Sequence, residues 1–194
     1  MALVLDLDST LIYSAEVPEN SNDYNISFED GLKYKTILRP HLREFLEFAK
    51  EIFDKIIIWS AGKKDYVDKV VNIIKFDFDK VMSFNDCYKT LDKYSDVSEY
   101  YFHKPLKEIW KDGIFDRTNT MIIDDRLDVA RRNWANHIRI KRYLGEDKDD
   151  ELRKLKIFIK NNLNIKDIRK LCLIWNCENW GKVKWSKTDF LEQE

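Results

Sequence analysis

The stretch ALVLDLDSTL, residues 2–11, runs four apolar residues straight into an aspartate pair, Asp6 and Asp8, with Ser9 and Thr10 directly behind. Continuous rather than alternating apolarity reads as a strand buried on both faces, the usual state of a strand in a parallel sheet. Similar short runs follow at IIIW (56–59), VMSF (81–84), MII (121–123) and IRI (138–140). Between them, RPHLREFLEFAKEIF (39–53) sets Leu42, Phe45, Leu46, Ala49 and Phe53 at helical spacing, with Pro40 near the first turn. KKDYVDKVVNIIK (63–75) does the same with Tyr66, Val67, Val70, Val71 and Ile74, and a third helix is expected over PLKEIW (105–110). Strands alternating with helices predict an α/β fold, a parallel-sheet Rossmann-like sandwich.

Residues 14–35 break this rhythm. The segment is polar, and YNISFEDGLKYKTIL (24–38) holds an Asp-Gly pair between weakly alternating runs, so it is expected to be an inserted β-hairpin. Near the end, DDELRKLKIFIKNNL (149–163) predicts a helix with Leu152, Leu155, Phe158, Ile159 and Leu163 inward, and IKDIRKLCLIW (165–175) predicts another. Residues 1–163 are expected to form one domain, and 164–194 a helical, Trp-containing extension packed on it. Trp175, Trp180 and Trp185 recur at a step matching neither helix nor strand, and are read as separate packing anchors.

A chain of 194 residues suffices for one ordinary domain. Its 34 basic and 35 acidic residues leave a net charge of -1, which gives no global field for holding an extended nucleic acid. Three cysteines, Cys87, Cys172 and Cys177, form no metal-type pair and read as reduced thiols. No apolar run has membrane-spanning length and no signal pattern opens the chain. The expectation is an intracellular monomer, nuclear or cytoplasmic, with no membrane partner.

Open parallel sheets bind ligands beyond the carboxyl ends of their strands. Those positions carry Asp6, Asp8 and Thr10 after the first run, Ser60 after the second, and Asp124 and Asp125 after the fourth. Carboxylates gathered on one rim repel each other unless a cation sits among them, and an all-oxygen set suits a hard ion such as Mg²⁺. A carboxylate fixed beside such an ion can attack phosphorus, which is the role expected of Asp6. Asp8, two residues on, suits the acid and base steps, while Ser60 and a lysine supply donors to the phosphoryl oxygens.

DLDST (6–10) resembles the D-x-D-x-T signature of the haloacid dehalogenase superfamily. With RPH (39–41), IIIWSA (56–61) and IIDDR (122–126), the chain is similar to the branch containing RNA polymerase II C-terminal-domain phosphatases, its small members among them. IRIKRYLGEDKDDELRKLKIFI (138–159) resembles the end of the catalytic domain of those members. The resemblance implies a Mg²⁺-dependent phosphoserine/phosphothreonine protein phosphatase with Asp6 as nucleophile and Asp8 as acid and base. It places Mg²⁺ among the Asp6 side chain, the Asp8 main-chain carbonyl and Asp125, with Asp124 ordering the metal's waters or a lysine. It also implies that Ser60 binds phosphate; Thr10, Ala61, Lys104 and Arg126 are the further candidate substrate contacts, with a structural ion pair the preferred role for Arg126 over a groove-side one. Lys104 is the expected phosphate lysine because it opens a helix, with Lys93 and Lys107 as other candidates. The insertion would form part of a groove for a phosphorylated peptide, such as the polymerase C-terminal domain.

Two other readings stand beside this one. A phosphatase for nucleotides or nucleic-acid ends would use Arg131–Arg132 and Lys141–Arg142, and a catalytically silent binding module would lack metal binding.

Overall fold

β1 (Ala2–Leu5) is wholly buried, and its position in the sheet follows from that burial. A computed structural model describes residues 1–91, 100–128 and 133–181 of the protein. In it β1 is the middle strand of five, flanked in parallel by β5 (Lys55–Trp59) and β9 (Thr120–Asp124), so that Leu3 lies opposite both Ile56 and Met121. β6 (Lys80–Met82) and β10 (His137–Arg139) complete the order β10-β9-β1-β5-β6, all parallel. The α/β parallel sandwich predicted by the apolar runs is therefore the fold observed.

Alternate residues of β1 face opposite layers. Leu3 and Leu5 pack into the larger core with α1 (Leu42–Ile52), α2 (Lys64–Ile74), α3 (Glu151–Asn161) and α4 (Ile168–Trp180). Ala2 and Val4 join Trp59, Ile57 and Ile122 in a smaller core capped by Leu106, Ile109 and Phe115. The segment over that second face is not the predicted helix but a single 3-10 turn, Leu106–Glu108. Pro105 opens it and Gly113, at φ 72°, ends the coil, leaving too little chain for a full helix. In α3, Leu152, Leu155 and Ile159 are buried, whereas Leu163 lies past the helix end and is 45% exposed.

The insertion is a three-stranded antiparallel sheet rather than a hairpin. β2 (Ile12–Val17) and β3 (Ile26–Ser27) pair on either side of β4 (Lys33–Leu38). The Asp30-Gly31 turn joins β3 to β4 as expected, with Gly31 at φ 87°. A second ribbon, β7 (Tyr88–Leu91) with β8 (Tyr100–His103), carried no strand pattern in the sequence reading and leads directly into Lys104.

α4 closes the β10 edge with side chains. Asn176 accepts from Arg139 N–H at 3.0 Å and donates to His137 C=O at 2.6 Å, while the Trp175 and Trp180 indoles both donate to Arg139 C=O. Trp175 is thus a buried anchor and Trp180 a half-exposed one; Trp185 lies outside the described residues. No helix among the described residues is long and apolar enough to cross a membrane.

Candidate active site

The chain turns sharply after β1. Ser9 takes a left-handed φ of 62°, and the N–H groups of Thr10, Leu11 and Ile12 all point back to Leu7 C=O at 2.8–3.1 Å. This tight loop buries Leu7 and fixes Asp6 and Asp8 on either side of it. β5 ends at Trp59 and delivers Ser60, β9 ends in Asp124 and delivers Asp125, and β8 delivers Lys104. Four separate segments thus converge at the carboxyl edge of the sheet.

Lys104 ties them together. Its ammonium, 1% exposed, donates to Asp6 Oδ1 at 2.5 Å and to Asp124 Oδ2 at 2.7 Å. Asn133 holds the lysine's main chain by donating to its carbonyl, and Asp124 Oδ1 accepts Arg126 N–H at 2.9 Å. Asp8 is held from both sides: the Tyr66 phenol donates to Oδ1, and the Ser60 hydroxyl donates to Oδ2 at 3.4 Å. Ser60 Oγ in turn accepts Gly62 N–H at 2.9 Å. Asp125 N–H donates to the Thr10 hydroxyl at 3.2 Å. Arg142, from the loop after β10, reaches 3.7 Å from Asp125 Oδ2 and 3.3 Å from Ser9 Oγ.

Burial pushes the Asp6 carboxyl up to about 6; the charge of Asp124 adds to this and Lys104 opposes it. Asp8 is also raised to about 6, by burial and then by Asp6. Burial alone would lower the Lys104 ammonium, but Asp124 and Asp6 outweigh it and keep the group charged. Asp125 is raised by burial and by Asp6. One carboxylate oxygen from each of Asp6, Asp124 and Asp125 lies within 4.8 Å of the others, and Asp125 Oδ1 is buried with no hydrogen-bond partner among the described residues. A compact oxygen set with an orphaned buried acceptor fits a hard divalent cation.

The structure brings Asp6, Asp8, Thr10, Ser60, Lys104, Asp124 and Asp125 together. Ala61 is exposed in the turn before α2. Arg126 does not reach the cluster through its guanidinium, which pairs with Asp128 on its own loop. Lys107 lies over the Tyr88 ring instead, and Lys93 and Arg131–Arg132 fall outside the described residues.

Sequence reasoning missed three neighbours of the cluster. Tyr66 was read as one more apolar position of α2, although it sits in the first turn after a strand-end serine. Arg39 is 1% exposed and donates to Thr10 C=O, Lys141 C=O and both oxygens of Asp149, bracing the loop behind Asp8. His137 donates from Nε2 to Asp124 C=O at 2.9 Å, and burial pushes its imidazole down to about 4, so it stays neutral.

A five-stranded parallel sheet in this order, covered by helices, is the haloacid dehalogenase fold. Solved structures share it: Fcp1, described as an essential RNA polymerase II CTD phosphatase, superposes with a TM-score of 0.54 at 22% identity, over 99% of this chain and 60% of that one. The family model of the NLI interacting factor-like phosphatases matches residues 1–169, and the chain belongs to that family. Ubiquitin-like domain-containing CTD phosphatase 1 of Xenopus tropicalis is 30% identical over 93% of this chain and 54% of its own length. The chain thus spans about half the length of that relative. A putative CTD phosphatase-like protein, 355R, of invertebrate iridescent virus 6 is 29% identical over 84% of this chain and 98% of its own length.

Proposed function

We propose that the protein removes phosphate from phosphoserine or phosphothreonine in extended peptides, with the polymerase C-terminal domain as leading substrate class, through an aspartyl phosphate on Asp6. The observation that carries this reading is Lys104 bridging Asp6 and Asp124 while Asp8 stands beside them, free of that bridge. In the first step an Asp6 oxygen bonds to phosphorus as the bond from phosphorus to the seryl oxygen breaks. That oxygen keeps the electron pair and takes the Asp8 proton, so the product leaves as an alcohol. In the second, the Asp8 carboxylate takes a proton from water as the water oxygen attacks phosphorus, releasing inorganic phosphate and restoring Asp6. Lys104 and Ser60 offer donors to the phosphoryl oxygens. Mg²⁺ held by Asp6, the Asp8 carbonyl and Asp125, with Asp124 ordering its surroundings, would neutralise charge on the transferring group.

A groove of about 520 Å³ opens beside Asp8, walled by Phe28, Leu32 and Tyr34 of the insertion and by Tyr66. Its aromatic lining supports a peptide rather than a polyanion as the occupant. The test is phosphate release from phosphoserine heptad peptides, a phosphate-ended oligonucleotide and an aryl phosphate, with Mg²⁺ and with chelator. Metal-dependent release from peptide, lowered on the order of 10³-fold or more in Asp6→Asn, is expected. Preference for the oligonucleotide would overturn the peptide reading, and turnover by Asp6→Asn would overturn the mechanism.

A further inference from the structure

The Asp8 carboxyl has two oxygens and only one can hand a proton to a leaving group, so something must decide which. Tyr66 approaches Asp8 Oδ1 with its hydroxyl, leaving Oδ2 on the side of Ser60. The ring is seated for that contact by two features. Gly62 lies beneath it, where an added Cβ would come within 2.9 Å of Tyr66 Cδ1 and 3.2 Å of Ser60 Oγ. Tyr34 packs on it from the insertion, ring centroids 5.7 Å apart, and Phe28 packs edge-on against Tyr34 at 6.0 Å. These same rings wall the groove.

We propose that Tyr66 is a positioning residue, which occupies one oxygen of Asp8 and turns the other toward the leaving oxygen, and which joins the insertion's groove wall to the acid. The proposal rests on the reading of Asp8 as the acid. The phenol O–H donates closely to Oδ1, whereas the Ser60 hydroxyl reaches Oδ2 only at 3.4 Å, so Oδ2 is the less engaged oxygen and carries the proton of the acid form. The hydroxyl therefore acts at proton delivery, while the ring face acts on the substrate's flank. Substrates with poor leaving groups need the delivered proton; those with good leaving groups do not.

Tyr66→Phe keeps the ring and removes only the hydroxyl. Its kcat on a phosphoserine peptide is expected to fall about tenfold, a part of the 10²–10⁴ that a positioned acid contributes. With p-nitrophenyl phosphate the change should stay within about twofold, and across aryl phosphates of rising phenol pKa the loss should grow steadily. KM for the peptide should hold, since the groove wall is intact. Equal losses on peptide and aryl phosphate, or a change in KM alone, would overturn the proposal. Asp8→Asn run alongside separates the two levels: a variant as active on peptide as the parent removes the acid reading itself, whereas an inactive Asp8→Asn with a Tyr66→Phe equal to the parent removes only the role of Tyr66.

Discussion

Asp6 and Asp8 each hold a proton more tightly in the folded protein than in the unfolded chain, from 3.8 to about 6 in both cases. The unfolded chain therefore releases these protons first as pH rises. Stability is fully present below pH 3.8 and is lost progressively up to about 6, so at neutral pH both carboxylates oppose folding when no metal is bound. Asp8→Asn should then be more stable than the parent in chelator at pH 7.5, by about 1–3 kcal/mol, with the difference vanishing below pH 4. Thermal melts across that range check the sign, and a variant less stable than the parent at pH 7.5 would contradict it. These residues were legible because DLDST and IIDDR sit where strands end. Tyr66 was not, because an aromatic at helical spacing carries the same apolar signal whether its hydroxyl is buried idle or aimed at a carboxylate.

The elements that hold the loops behave differently from the strands that present them. Arg39 leaves β4 and joins the first loop to Asp149, ahead of α3, with side-chain exposures of 0% and 5%. Removing one partner of such a pair strands the other, so Arg39→Met should cost about 3–5 kcal/mol in denaturant unfolding, while the double replacement with Asp149→Leu should recover only the part due to the stranded carboxylate, because the Thr10 and Lys141 carbonyls stay unpaired. Apolar runs made the parallel strands readable. The insertion was only half readable, since IYSAEV follows the aspartate loop without a turn signal and its pairing with β4 is set by tertiary contact. The β7–β8 ribbon lacked period-two apolarity altogether, and PLKEIW showed a helical period that Pro105 and Gly113 left no room to extend.

Across the whole molecule, a cation bound in the carboxylate cluster, as proposed above, would be a component of folding as well as of chemistry. Mg²⁺ that binds only the folded form, at about a hundred times its dissociation constant, should add about 2.7 kcal/mol, or roughly 5–10 °C in Tm. Asp125→Asn should lose most of that gain and, because burial and Asp6 also raise the Asp125 carboxyl, should melt somewhat above the parent in chelator, which melting with and without Mg²⁺ measures directly. The β10 edge of the sheet carries a different consequence. The side-chain amide of Asn176 meets β10 as a neighbouring peptide unit would, giving one donor and one acceptor to the edge. It is a counterfeit strand one residue long, and it withholds from other copies of the chain a template for adding their own. Asn176→Ala leaves the Arg139 N–H and the His137 C=O unpaired at that edge, so the variant is expected to self-associate with rising concentration and heating, which light scattering measures.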